Sequence, residues 1–203
     1  VGTPQFTNDI IGYLTELTNY TFREFTGEGS EGVFVMIDGV SDNESSYVYS
    51  NQLVKSIINS GSVCTINESY SETNQVDYAN KGEYGDLEEL YAENQYNGIG
   101  ISADIYINPT NFTTHMLGLK LSEEGLWESQ LEEKPNPMII VAHELVHAQR
   151  IMQGRAIDNK SGVYEEHEYT YIYNNVDKNA SANYEELVTV GLIDFGNQPI
   201  NEN

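Results

Sequence analysis

The chain has 203 residues, 39% of them hydrophobic and 11% aromatic, enough to bury a core and too apolar for a disordered tail. With 9 Lys+Arg against 32 Asp+Glu the net charge is −23, which sets the chain against phosphate backbones and anionic membranes and argues against nucleic acid as a partner. No apolar run is longer than Met138 to Ala142, far too short to span a bilayer, and the single cysteine, Cys64, excludes an internal disulfide and a thiolate metal cluster.

The acidic residues are spread along the chain, as solubility alone would require; the functional reading of the charge is attraction to a basic peptide or patch. The first residue is Val1 rather than Met, as expected of a processed or trimmed chain. From there, apolar residues at Ile10, Leu14, Leu17 and Tyr20 to Phe22 predict a helix over Asp9 to Phe25. Gly27 to Gly32 reads as a loop without the Gly-Lys-Ser/Thr of a phosphate loop, and Val33 to Ile37 as a strand ending at Asp38-Gly39. Tyr47 to Asn59 is an amphipathic helix stopped by Ser60-Gly61, and Val63 to Ile66 is a strand in which Cys64 is a buried thiol. Asn67 to Asn97 is polar and irregular, with one short helix at Leu87 to Tyr91. Ile99, Ile101, Ala103, Ile105 and Ile107 alternate as in a half-buried strand, closed by Asn108-Pro109. Thr110 to Pro135 reads as a long loop region.

The next helix is clearly signalled. Asn136 is a good N-cap, Pro137 suits the first helical position, and Gly154 is a natural C-cap. Met138 to Ala142 is apolar on every face, which marks a helix inside the domain. A last helix runs from Asn183 through Tyr184-Glu185-Glu186-Leu187 to Gly191.

The buried helix carries His143-Glu144-Leu145-Val146-His147. Residues four apart on a helix share a face, so His143 and His147 can grip one metal ion. Zinc suits two imidazoles, and a catalytic site keeps one coordination position for water. Glu144 stands beside that position, where it can take a proton from water and pass it to the leaving amine. Two imidazoles and a carboxylate are costly to bury on an apolar helix without such a task. The metzincin arrangement would need Gly and His where Arg150 and Gln153 stand, so the third ligand is sought among acids on a later helix. Glu185-Glu186 supply it. Neighbours on a helix point about 100° apart, so one of them binds the metal while the other orients a histidine, and periodicity does not choose between them.

Val141-Ala142-His143-Glu144-Leu145-Val146-His147-Ala148, with Gly154 and Tyr184-Glu185-Glu186-Leu187-Val188-Thr189-Val190-Gly191, resembles the clostridial neurotoxin light chains. The closer resemblance is to the NleD-like bacterial effector zinc peptidases, through Thr189-Val190-Gly191-Leu192, Ile200-Asn201-Glu202-Asn203 and the strand Ile105 to Pro109. It is strong from about Ile99 onward and faint before. The resemblance implies an α+β, zincin-like (gluzincin) fold, with a small mixed sheet packed on the His-Glu-x-x-His helix and a glutamate-bearing helix. It favours Glu186 as third ligand, with Glu185 as its neighbour or alternative. It further implies one Zn2+, a secreted protein or one translocated into a host cell, and a host protein as substrate, MAP kinases being cut by some members. The Arg and Tyr that stabilise the transition state in neurotoxin light chains have no counterpart after Glu186. An oxyanion donor is therefore expected from Tyr164, His167 or Tyr169, in a segment that otherwise reads as a solvated loop or an edge strand.

The expectation is a zinc endopeptidase domain spanning residues 1–203, acting as a monomer on a protein or peptide substrate. Strand Ile99 to Ile107 would lie at the cleft edge and hold that substrate extended. The alternative is a non-catalytic zinc-binding interaction module. His115 has no partner motif and reads as structural, and a second metal at Glu165, Glu166 and His167 is poorly spaced.

Overall fold

The computed structural model describes residues 1–25, 34–40, 47–71, 74–83, 85–110, 118–121, 127–130, 136–157, 167–173, 176–182 and 184–189. The loop at Gly27 to Gly32, His115, Glu165, Glu166 and the tail from Val190 to Asn203 lie outside these. The architecture is α+β.

The chain opens with α1 (Pro4–Leu17), not with a helix from Asp9 to Phe25. Thr3 caps it by accepting from the Phe6 N–H, and Pro4 takes the first turn. Thr18 closes it, its N–H and hydroxyl both donating to the Leu14 carbonyl. Beyond that point the period changes from helical to two: Tyr20 and Phe22 are buried while Thr21 and Arg23 are exposed. This segment is β1 (Tyr20–Phe25), antiparallel to β2 (Phe34–Val40), which runs through Asp38-Gly39 instead of stopping there.

Helix α2 (Val48–Ile58) and strand β3 (Cys64–Glu68) lie close to where the sequence predicts them. The polar stretch after β3 holds β4 (Gln75–Tyr78) as well as a single 3-10 turn and α3 (Glu88–Glu93). The alternating isoleucines form only β5 (Ala103–Ile107), since Gly98 and Gly100 take positive φ and leave Ile99 exposed. β5 is the central strand of a mixed sheet, parallel to β3 and antiparallel to β4. With a neighbour on each side it cannot be the strand that receives a substrate at a cleft edge. The outer side of β3 is itself taken by the N-terminus: the Val1 amino group donates to the Ile66 carbonyl, and the Glu68 N–H donates to the Val1 carbonyl at 2.8 Å.

The region read as a long loop contains β6 (Gly118–Leu121) and β7 (Trp127–Gln130). They join β8 (His167–Tyr173) and β9 (Val176–Ala182) in a second sheet of order β6-β7-β8-β9. β8 lies between β7 and β9, so the segment of His167 and Tyr169 is an interior strand and not a loop or an edge.

Helix α4 (Pro137–Met152) carries the histidines and is wrapped by α1, α2, β4, β5 and the short α5 (Tyr184–Thr189). Asn136 caps it, its side chain accepting from the Met138 N–H at 3.0 Å. Val141, Leu145, Val146, Ala148, Ile151 and Met152 join Ile10, Leu53, Ile105 and Ile107 in one core. Gly154, at φ 67°, lets the chain before β5 reach the helix end: Gly98 N–H donates to the Gly154 carbonyl at 2.9 Å and Ile101 N–H to that of Ile151 at 3.3 Å. A Cβ on Gly154 would stand 2.6 Å from the Gly98 nitrogen, so only glycine fits there. No described helix is long and apolar enough to cross a membrane.

Candidate metal centre

Helix α4 bears His143 and His147, one turn apart on one face and each 8% exposed. Their Nε2 atoms approach to 3.0 Å, with the ring centroids 4.7 Å apart. Helix α5 brings Glu186 against both: its Oε2 is 3.0 Å from His143 Nε2 and its Oε1 is 3.4 Å from His147 Nε2. One ligand atom from each of the three residues can therefore lie within 4.8 Å of the others, and the group can hold a metal ion. The Glu186 side chain is 41% exposed while the imidazoles are 10% exposed, so the cluster opens to solvent on its carboxylate side.

Glu185, one residue earlier, turns away from that opening. Its Oε1 lies 3.1 Å from His147 Nδ1 and accepts from Arg150 Nη1 at 3.0 Å. Its Oε2 accepts from the Ile157 N–H at 3.1 Å. Arg150 Nη1 also donates to Thr189 Oγ1 at 3.2 Å. With Nδ1–H of His147 donating to Glu185, the Nε2 lone pair faces the cluster, the tautomer a metal ligand requires.

Charge follows this geometry. Burial opposes protonation of His147, but the hydrogen bonds to Glu185 and Glu186 and the Glu186 charge outweigh it and push its pKa up to about 9. Burial would raise the Glu186 carboxyl, yet hydrogen bonds to His143 and His147 hold it well below the usual carboxylate range. Without a metal His147 thus holds a proton, and a divalent cation would replace it.

Glu144 is buried at 6% exposure on α4 beside His143. His167 and Tyr169 are on β8, with their side chains outside the described residues, as is the whole of Tyr164. Cys64 lies in β3, away from the cluster; burial and the Asp104 charge push its thiol up to about 12. Arg150 and Thr189 take part in the site, although their roles were not read from the sequence. The available signal was a guanidinium three residues after His147, on a buried helix of a chain with only 9 basic residues.

A His-Glu-x-x-His helix facing a glutamate from a later helix, in an α+β frame, is the layout of a metal-dependent hydrolase. Residues 36–203 match the family model Peptidase_M91, described as effector protein, and the chain belongs to that peptidase family. No curated protein and no solved structure matches the chain.

Proposed function

We propose that this chain is a zinc-dependent endopeptidase of the glutamate-liganded zincin type, delivered into a host cell to cut a specific host protein. The observation that carries this is the convergence of His143, His147 and Glu186 within 4.8 Å of one another, in a member of an effector peptidase family. Two imidazoles and one carboxylate are the donor set of catalytic zinc, which leaves a coordination position open. The ion supplies a Lewis acid and makes water a stronger acid.

The protein's own groups do the rest. Glu185 holds His147 in the tautomer that presents Nε2. Glu144 is the general base that takes the proton of the attacking water and returns it to the leaving amine. Tyr164, His167 or Tyr169 donates to the oxyanion. The substrate strand is assigned to the outer edge of β4, which packs on α4 and pairs on its other side with β5. Among the described residues that outer edge is unpaired. An extended peptide added there gains main-chain hydrogen bonds. A single peptidase domain acting as a monomer suffices for these steps.

Elemental analysis of protein purified without chelators tests the metal reading. One zinc per chain is expected, lost in His143→Ala. A metal-free wild type, or a zinc that survives His143→Ala, sinks it.

A further inference from the structure

We propose that Arg150 is a positioning residue of the metal centre. It pins Glu185 to His147 and thereby leaves Glu186, of two adjacent glutamates, as the carboxylate that faces the metal. The inference rests on the reading that His143, His147 and Glu186 hold zinc.

Glu185 and Glu186 are chemically identical and sit on one turn of a short helix. Helix geometry parts them by about 100°, but does not say which one turns toward the histidines. The difference lies in what receives them. Arg150 is 2% exposed and stands three residues after His147, so both side chains leave the same face of α4. Among the described residues, the Nε and Nη2 atoms of Arg150 make no hydrogen bond, and its bonding is concentrated in Nη1. That nitrogen reaches Glu185 Oε1 and Thr189 Oγ1, which are themselves one turn apart on α5.

The pairing therefore joins one turn of α4 to one turn of α5. His147 and Arg150 meet Glu185 and Thr189, and this sets the rotation of α5 about its own axis. Each oxygen of Glu185 is engaged, Oε1 by Arg150 and His147 and Oε2 by the Ile157 N–H, so turning Glu185 toward a metal would break these buried bonds. Glu186 is the acid left pointing at the two Nε2 atoms. A buried guanidinium 3.0 Å away also faces the buried Glu185 carboxylate, whose Oε1 accepts from His147 Nδ1. Without Arg150, Glu185 loses its counter-charge, His147 loses a fixed acceptor, and the two glutamates compete for one place. Thr189 Oγ1 lies 3.4 Å from His147 Nδ1, farther than the 3.1 Å of Glu185 Oε1, and its shorter bond is the one from Arg150 Nη1 at 3.2 Å.

The test compares wild type with Arg150→Met, Arg150→Lys and Thr189→Val, each checked for native near-UV circular dichroism. Zinc affinity is read by competition with a chromophoric chelator, and ligand geometry by the d–d absorption of the Co2+-substituted proteins. Arg150→Met is expected to bind zinc about 10–100-fold more weakly and to shift the Co2+ bands. Arg150→Lys should recover part of the affinity, and Thr189→Val should show a smaller loss of the same sign. If Arg150→Met does not fold, Glu185→Gln decides, since it keeps the volume but removes the charge that Arg150 pairs; a similar loss of affinity is expected. A folded Arg150→Met, or in its place Glu185→Gln, with wild-type zinc affinity and unchanged Co2+ bands overturns the proposal while leaving the zinc site standing. Wild type that binds no zinc removes the site and this inference together.

Discussion

Glu185 and Glu186 are consecutive residues whose carboxylates face different partners: Glu185 Oε1 lies 3.1 Å from His147 Nδ1, and Glu186 Oε2 lies 3.0 Å from His143 Nε2. One therefore meets the outer side of an imidazole and the other the side on which a metal would bind.

Removing the two charges should have unequal effects. Glu186→Gln takes an anionic donor from the cluster itself and is expected to weaken zinc binding by at least about 100-fold. Glu185→Gln acts through His147 and should cost less, about 10–100-fold. Chelator competition on both variants measures this, and a larger loss in Glu185→Gln would exchange the two roles.

The metal-free protein should show a definite pH profile. His147 titrates near 9 instead of 6.5, so its contribution to stability is complete below about pH 6.5 and is lost as pH rises through about 9. Glu186 is held below its ordinary 4.5, so its contribution is present above about pH 4.5 and is lost as pH falls. As far as these two groups decide, metal-free protein is most stable between those limits and loses on the order of 1–3 kcal/mol toward pH 9. Zinc must displace the His147 proton, so its affinity should rise with pH over the same range. Denaturant midpoints with chelator present give the first curve; a flat profile from pH 6.5 to 9 would contradict the assignment.

Gly154→Ala should destabilise the fold by roughly 1–3 kcal/mol. The new methyl would meet the Gly98 and Gly100 nitrogens at a residue with φ 67°, and so push the end of α4 away from the chain entering β5. Urea denaturation measures this; a wild-type midpoint would show that the junction yields freely.

Cys64 should resist alkylation. With its thiol pushed up to about 12, little thiolate exists at pH 8, and iodoacetamide should label the folded protein far more slowly than the unfolded chain. Equal labelling rates would place the thiol in a different setting.

What could be read from the sequence follows from which signals are local. Helix α4 was legible because its N-cap, its proline, its apolar run and its closing glycine all lie within a few residues of the helix. The period-two pattern of Tyr20 to Arg23 was absorbed into a helix because Ile10, Leu14 and Leu17 kept helical spacing up to it. β4 was hidden because Val76 and Tyr78 are its only apolar residues, and it exists by pairing with β5, whose residues come some 25 to 31 positions later. Arg150 was noticed only as the wrong residue for a longer zinc motif, since its partners Glu185 and Thr189 lie 35 and 39 residues away. The choice between Glu185 and Glu186 depends on how α5 is rotated against α4, which no local pattern encodes.

The most direct test exposes host-cell lysate to wild type and to Glu144→Gln, then maps new protein N-termini by mass spectrometry. Glu144→Gln is expected to fold and to keep its zinc. The account predicts a small set of new termini with wild type that is absent with Glu144→Gln and with wild type plus chelator. Identical termini from wild type and Glu144→Gln, or none from either, would contradict it and leave a zinc-binding module without turnover.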